Sequence, residues 1–242
     1  MDINSVNMDK MTVLVSGGTD GIGKEIVLKF AQNGWNISTF GRDEKKIEAI
    51  KEELKSLSVD YLVESVQAQN KSDLEHFFKK SIEHFGGVDV LVNNVGIFIP
   101  GNIQDELNST FDLMMNVNLT ATYLLCKLCI PSLKLSPNPA IFNICSTASI
   151  TPYINGGTYC ISKYAQYGLT KVLREELKKD RIRVTAVLPG ATYTNSWEGT
   201  DLPESRFIDP KTIAEAIFNT YLMPPQTVVE EILIRPIEGD IE

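Results

Sequence analysis

Seven short runs rich in β-branched and aromatic residues, at 12–16, 36–41, 61–66, 88–93, 140–145, 183–188 and 228–234, alternate with helical periodicity at 22–33, 43–56, 71–85, 105–134, 154–179 and 210–222. Such alternation predicts parallel pairing, because a strand that returns parallel to its neighbour needs a long crossover, and a helix supplies it. The first, fourth and sixth runs are apolar nearly throughout rather than at every second residue, so both faces of the sheet are covered. The expected fold class is α/β: a doubly wound, seven-stranded parallel sheet with helices on both faces, the 105–134 helix being broken. Sheets of this kind bind ligands outside the carboxyl ends of their strands, near the point where strand order reverses. Candidate functional residues are therefore those that end strands.

With 242 residues, the chain is long enough to bury a substantial core and short for two, so one domain over 1–242 is expected. Within its second half only 192–209 lacks clear periodicity. Loops that long often line a site, and this one is expected to be a substrate loop. A net charge of −8 disfavours a nucleic-acid partner, which needs a basic face to release counterions. No uninterrupted apolar run approaches the roughly 20 residues of a membrane span, and the first eleven residues carry no secretory pattern. The expectation is a cytoplasmic protein with no membrane partner. Cys126, Cys129, Cys145 and Cys160 lie in apolar segments and read as reduced thiols. Cys126 and Cys129 form a C-x-x-C without a second pair or a nearby His, so no metal is expected. His76 and His84 sit among Lys79, Lys80 and Glu83 on a charged helix face and are assigned no role.

The first strand runs directly into Ser16-Gly17-Gly18-Thr19-Asp20-Gly21-Ile22-Gly23, followed at once by an amphipathic helix carrying Ile26, Val27, Phe30 and Ala31. Glycines permit positive φ and close backbone approach, while free N–H groups at the helix start attract a pyrophosphate. Between a strand and a helix, the run reads as a dinucleotide-phosphate turn. Strand two ends at Phe40-Gly41-Arg42, with no acid to hold the ribose 2′-hydroxyl of NAD. Gly41 leaves room for a 2′-phosphate and Arg42 can hydrogen-bond it, so NADP(H) is favoured over NAD(H). Asp20 and Asp43 place opposing charges nearby.

Tyr159 and Lys163 stand four apart near the start of the 154–179 helix, on one face. A cation beside a phenol favours the phenolate, so Lys163 is expected to lower the Tyr159 pKa and make it a proton donor and acceptor. Tyr167 and Lys171 repeat the spacing, but roughly 12 Å further along at 1.5 Å per residue, away from the strand ends. Strand five ends in Cys145-Ser146-Thr147. Ser146 is the candidate to hydrogen-bond a substrate carbonyl, with Thr147 competing.

Taken together the set resembles the short-chain dehydrogenase/reductase family over nearly all of 11–238. The resemblance is carried by the turn at 16–23, Asn93-Asn94-Val95-Gly96, Asn116-Val117-Asn118-Leu119, Ser146, Tyr159 with Lys163, and Pro189-Gly190 with Thr194 beyond. It implies a Rossmann-like fold and a four-residue centre. In that family the tyrosine, here Tyr159, protonates the nascent alkoxide; Lys163 tunes it and binds the nicotinamide ribose; Ser146 polarises the carbonyl; and Asn118 kinks its helix to hold a water in a proton relay. Cofactor contacts are implied for Ser16, Gly17, Thr19, Asp20, Gly21, Ile22 and Gly23 of the turn. Further ones fall to Arg42, Asn70, Asn94, Gly96, Tyr159, Lys163, Pro189, Gly190 and Thr194.

Four places depart from the family pattern, among them Asp20, which stands where a basic or small residue is common in NADP-dependent members. Ser16 stands where threonine is usual and Val95 where alanine is. Ala68-Gln69-Asn70 occupies the place of an adenine-binding aspartate, with Gln69 the substitute. The implied activity is NADPH-dependent, reversible reduction of a ketone or aldehyde to an alcohol, 3-oxoacyl thioesters being one candidate substrate class. The alternatives are an NAD-dependent alcohol dehydrogenase of the same fold and a nucleotide-sensing protein without catalysis. A homodimer or homotetramer is implied through the helices at 105–134 and 154–179, where Leu124, Leu125, Leu128 and Cys129 are either contact or core. Substrate walls are expected from 192–209 together with Ile97, Phe98, Ile150, Tyr153 and Trp197. Glu198, Asp201 and Glu204 make that loop acidic, which disfavours anionic substrates unless Arg206 turns inward.

Overall fold

The computed structural model describes residues 11–197 and 199–241, the side chain of Ser196 excepted. The residues before Met11, which carry the reading of a polar amino terminus, and Glu198 of the acidic loop lie outside the described residues. One parallel sheet contains β1 (Thr12–Ser16), β2 (Asn36–Gly41), β3 (Tyr61–Ser65), β4 (Val90–Asn93), β5 (Ala140–Ile144), β6 (Arg183–Pro189) and β7 (Glu231–Ile234). Their order is β3-β2-β1-β4-β5-β6-β7, every pair parallel. The order reverses between β1 and β4, which places a crevice at their carboxyl ends.

Helices α1 (Gly21–Gln32), α2 (Glu44–Ser56) and α7 (Pro210–Tyr221) cover one face; α3 (Lys71–Phe85), α5 (Ala121–Leu133) and α6 (Gly157–Leu177) cover the other. Strand β1 shows why its apolar run is continuous. Val13 and Val15 point into the core with Ile26, Phe30 and Ile217, whereas Leu14 points into the second core with Leu91, Leu125 and Ile141. The first core is closed by edge-to-face rings, Trp35 lying 5.0 Å from both Phe30 and Tyr221.

The edge strand β7 is shorter than its β-branched run, starting at Glu231 rather than at Val228. Val229 and Glu230 still meet β6, through Val229 O accepting from Thr185 Oγ1 and Glu230 O from Ala186 N. The break expected in the 105–134 helix is a π-helical turn, Met115–Thr120, between α4 (Asn108–Met114) and α5. Counting uninterrupted apolar residues overlooks one property of this run: Asn108–Leu133 is long and apolar enough, by length and composition, to cross a membrane. In the fold, Leu125, Cys126, Cys129 and Leu133 are buried against the sheet. Leu125 and Cys129 are thus core, while Leu124 is partly buried against it. All four cysteines are buried free thiols, and burial pushes Cys126, Cys129 and Cys145 up from the ordinary thiol range.

Candidate active site

Two adjoining cavities, about 700 and 580 Å³, run along the carboxyl ends of the strands and share Ile22, Asn94, Gly96, Ile97, Phe98 and Thr194. The larger lies over the glycine turn and the ends of β2 and β3; the smaller lies over the ends of β5 and β6.

At the turn, Gly17 and Gly21 take φ of +68° and +51°, the left-handed region where a side chain is strained. Gly17, Thr19, Asp20, Gly21 and Ile22 line the larger cavity. Asp20 starts α1 without a side-chain cap, so the first N–H groups of that helix receive no acceptor from its carboxylate. Ser16 and Gly23 stand behind this wall and support it. Ser16 Oγ accepts from Asn94 N at 2.9 Å and Val95 N at 3.0 Å, while Asn94 Nδ2 donates to Ser16 O and Gly17 O. The hydroxyl in place of threonine thus fastens the end of β1 to the end of β4. Gly23 packs against the same atoms: a Cβ there would fall 2.2 Å from Gly17 O and 2.3 Å from Asn94 Nδ2.

Three expectations around the end of β2 and β3 change. Gly41 lines the cavity, but the direction a side chain would take is filled by Thr19, a Cβ there meeting Thr19 Oγ1 at 2.2 Å; the glycine is required by Thr19 packing on it. Asn70 starts α3, 3.3 Å from Asp73 through its amide, and does not line the cleft. Gln67 and Gln69 line it instead, joined at 3.4 Å. Gln67 escaped sequence reading because nothing marks which residue after a strand end faces inward. Arg42 lines the cavity and makes no ion pair or hydrogen bond among the described residues. Asp43 is turned to its own helix, accepting from Lys45 N and Lys46 N.

The smaller cavity brings Ser146, Tyr159 and Lys163 together with Pro189, Gly190 and Thr194. Ser146 stands two residues beyond the end of β5 and caps the turn Thr147–Ser149, its Oγ accepting from Ala148 N at 3.1 Å. That leaves its own proton to donate. Thr147 also lines the cavity. Tyr159 packs edge-to-face on Phe98 at 4.9 Å. The expectation that a cation lowers its pKa is overturned: burial raises it, and the Ser146 hydroxyl beside it offsets that only in part. Lys163 does not offset the burial. Its Nζ is 5.9 Å from the Tyr159 ring and is directed at Ile144 O (2.9 Å) and Gln166 Oε1 (3.0 Å), and burial lowers its own pKa to about 8. Tyr167 and Lys171 are engaged elsewhere, both on Glu231 of the edge strand.

Asn118 sits in the π-helical turn, fully buried and outside the cavity lining. Its amide is committed: Oδ1 accepts from Ile97 N at 2.8 Å, and Nδ2 donates to Ile97 O and Ser162 Oγ. Its main-chain oxygen accepts from Thr122 Oγ1, which accepts from Gln166 Nε2. A chain of side chains therefore joins Asn118 to Lys163 through Thr122 and Gln166, a link that no motif announced.

Ile97, Phe98, Tyr153 and Trp197 line this end as read from sequence; Ile150 does not and is exposed. Thr151, Ile154, Asp240 and Ile241 are additional. The last two arrive from the carboxyl terminus, where neither spacing nor composition gives a signal. Arg206 turns to that segment, donating to Gly239 O and Asp240 O, and not into the cavity.

A family model described as short chain dehydrogenase matches residues 11–204. The chain is 32% identical to a sepiapterin reductase of Chlorobaculum tepidum, over 96% of this chain and 99% of that one. It is 30% identical to an uncharacterized oxidoreductase of Staphylococcus epidermidis, over 93% and 96%. Among solved structures, the fold is similar to an alcohol dehydrogenase of Thermococcus sibiricus complexed with 5-hydroxy-NADP, with a TM-score of 0.89, 26% identity and coverage of 96% and 99%. A metagenomic short-chain oxidoreductase in complex with NADP gives 0.83, 26%, 95% and 98%.

Proposed function

Because this chain belongs to the short-chain dehydrogenase/reductase family, a family of oxidoreductases, we propose that it is an NADPH-dependent reductase of a ketone or aldehyde. The observation that carries the reading is the convergence of Ser146, Tyr159 and Lys163 on one cavity that adjoins the glycine turn. The cofactor fits the larger cavity by the uncapped start of α1, the left-handed Gly17 and Gly21, and Gly96, whose missing side chain keeps open the space beside Lys163 Nζ. Gly17, Gly21 and Ile22 would hold the pyrophosphate, and Asn94, Gly96, Lys163, Pro189, Gly190 and Thr194 the nicotinamide end. When bound, NADPH supplies the hydride.

The protein's part is orientation and the proton. Ser146 and Tyr159 hydrogen-bond the carbonyl oxygen, fixing it and stabilising the charge it gains. The Tyr159 phenol, already protonated at neutral pH at its ordinary value and held higher by burial, has a proton to give to the nascent alkoxide. Lys163 brings its ammonium to the same cavity, held by Ile144 O and Gln166, while Asn118 fixes the backbone at Ile97. NADP(H) is favoured over NAD(H) by Arg42 and by the absence of an acid at the end of β2. The substrate is a small carbonyl compound with an apolar or aromatic body, to match Phe98, Tyr153 and Trp197; sepiapterin, after which one relative is named, belongs in the first panel, beside 3-oxoacyl thioesters. Assembly into a homodimer or homotetramer would cover Tyr123, Ile161, Tyr164 and Val172, which are exposed on α5 and α6.

The test is oxidation of NADPH and NADH by the purified protein over a carbonyl panel; tight binding of both nucleotides with no turnover on any carbonyl would favour a sensing role. Ser146→Ala is expected to lower kcat by about 10²–10³-fold, the loss typical of one oxyanion donor, with Thr147→Ala near wild type; the reverse ranking would move the role to Thr147. The rate of reduction is expected to fall as pH rises through about 8, where Lys163 loses its proton. Well below that value the ammonium is present in full, so a profile flat from pH 6 to 10 would remove its charge from the mechanism.

A further inference from the structure

The larger cavity holds a second cation that the turn motif does not announce. Lys46 rises from the first turn of α2, four residues after Arg42, and lines the cavity with Arg42, Gly41 and Thr19. Its Nζ lies 2.5 Å from Asp20 Oδ2, and the same oxygen accepts from Asn195 Nδ2 at 2.8 Å. Asp20 therefore spans the cleft, meeting α2 on one side and the loop after β6 on the other. The acid that sets an opposing charge beside Arg42 is thereby neutralised by Lys46.

We propose that Lys46 is the second cation of the ribose 2′-phosphate subsite and a determinant of NADP(H) over NAD(H), with Asp20 the residue that positions its ammonium. The inference rests on the reading that the cleft takes NADP(H). Three observations carry it. Thr19 fills the space at Gly41, so no side chain from the end of β2 except Arg42 reaches the place where a 2′ substituent would lie. Asp43 is occupied in capping α2 through the backbone N–H groups of Lys45 and Lys46 and does not hold the Lys46 ammonium. An ammonium has three donors, of which the carboxylate takes one, leaving two for phosphate oxygens. Holding the long lysine stem in one geometry before binding reduces the ordering that a phosphate must otherwise impose.

The experiment is calorimetric titration of wild type, Lys46→Ala, Lys46→Arg and Arg42→Ala with NADPH, NADH, adenosine 2′,5′-bisphosphate and 5′-AMP. Lys46→Ala is expected to weaken NADPH and the bisphosphate by about tenfold, the loss of one charge-assisted contact, with NADH and 5′-AMP unchanged and Lys46→Arg retaining most of the preference. If Lys46→Ala leaves the NADPH-to-NADH ratio intact while Arg42→Ala collapses it, the inference is wrong and Arg42 acts alone. If Lys46→Ala weakens all four ligands alike, its role is structural and the inference is equally wrong. Wild type binding the bisphosphate no better than 5′-AMP would instead refute the NADP(H) reading beneath it.

Discussion

Tyr159→Phe is expected to reduce kcat by about 10²–10⁴-fold, the range that a positioned general acid supplies, while NADPH binds as before. The substitution removes one oxygen from a buried ring and keeps the edge-to-face contact with Phe98, so the fold loses almost nothing. What it loses is the phenolic proton. The measurement is single-turnover reduction beside nucleotide titration, which separates chemistry from binding. Turnover above roughly a tenth of wild type would exclude Tyr159 as the proton donor, because no general acid of this kind contributes so little. Tyr167→Phe, at the repeated spacing, is expected to be silent in turnover, since its hydroxyl is bonded to Glu231 at the far edge of the sheet.

Much of this was legible in the residues, for a physical reason. Strand and helix differ in hydrophobic period, and the continuous apolarity of β1 follows from Val13 and Val15 entering one core and Leu14 the other. The glycine turn and Ser146, Tyr159 and Lys163 were legible because local geometry dictates them: a left-handed φ, a strand end, a four-residue helical spacing. What sequence left hidden depends on long-range contact. Gly41 reads as open space until Thr19 is seen to fill it, and Asp20 reads as an opposing charge until Lys46 and Asn195 meet it. The direction of the Tyr159 shift was misjudged similarly: spacing brings Lys163 alongside, but Gln166 and Ile144 O decide where its ammonium points. Asp240 and Ile241 reach the cavity from the other end of the chain, and no local pattern encodes that.

The glycine turn gives the second large effect, and it separates two uses of glycine. Gly23→Ala places a Cβ 2.2 Å from Gly17 O and 2.3 Å from Asn94 Nδ2. Neither can yield freely: the first is backbone, and the second is bonded to Ser16 O and Gly17 O. Overpacking of this kind costs about 1–3 kcal/mol. Taken up as lost stability, it lowers Tm by about 2–4 °C per kcal/mol in a domain of this size. Taken up by displacing the turn, it weakens nucleotide binding tenfold for each 1.4 kcal/mol or so, up to about 100-fold. Gly86→Ala is the matched control. It stands at φ +79° beyond the end of α3 with nothing within 4 Å of its missing side chain, so it incurs only the left-handed penalty of about 1–2 kcal/mol. Gly86→Ala should lower Tm and leave NADPH affinity untouched, whereas Gly23→Ala should lower affinity as well. Equal nucleotide affinity in both variants would mean that the close approach of α1 to the end of β1 shapes the fold and not the phosphate site.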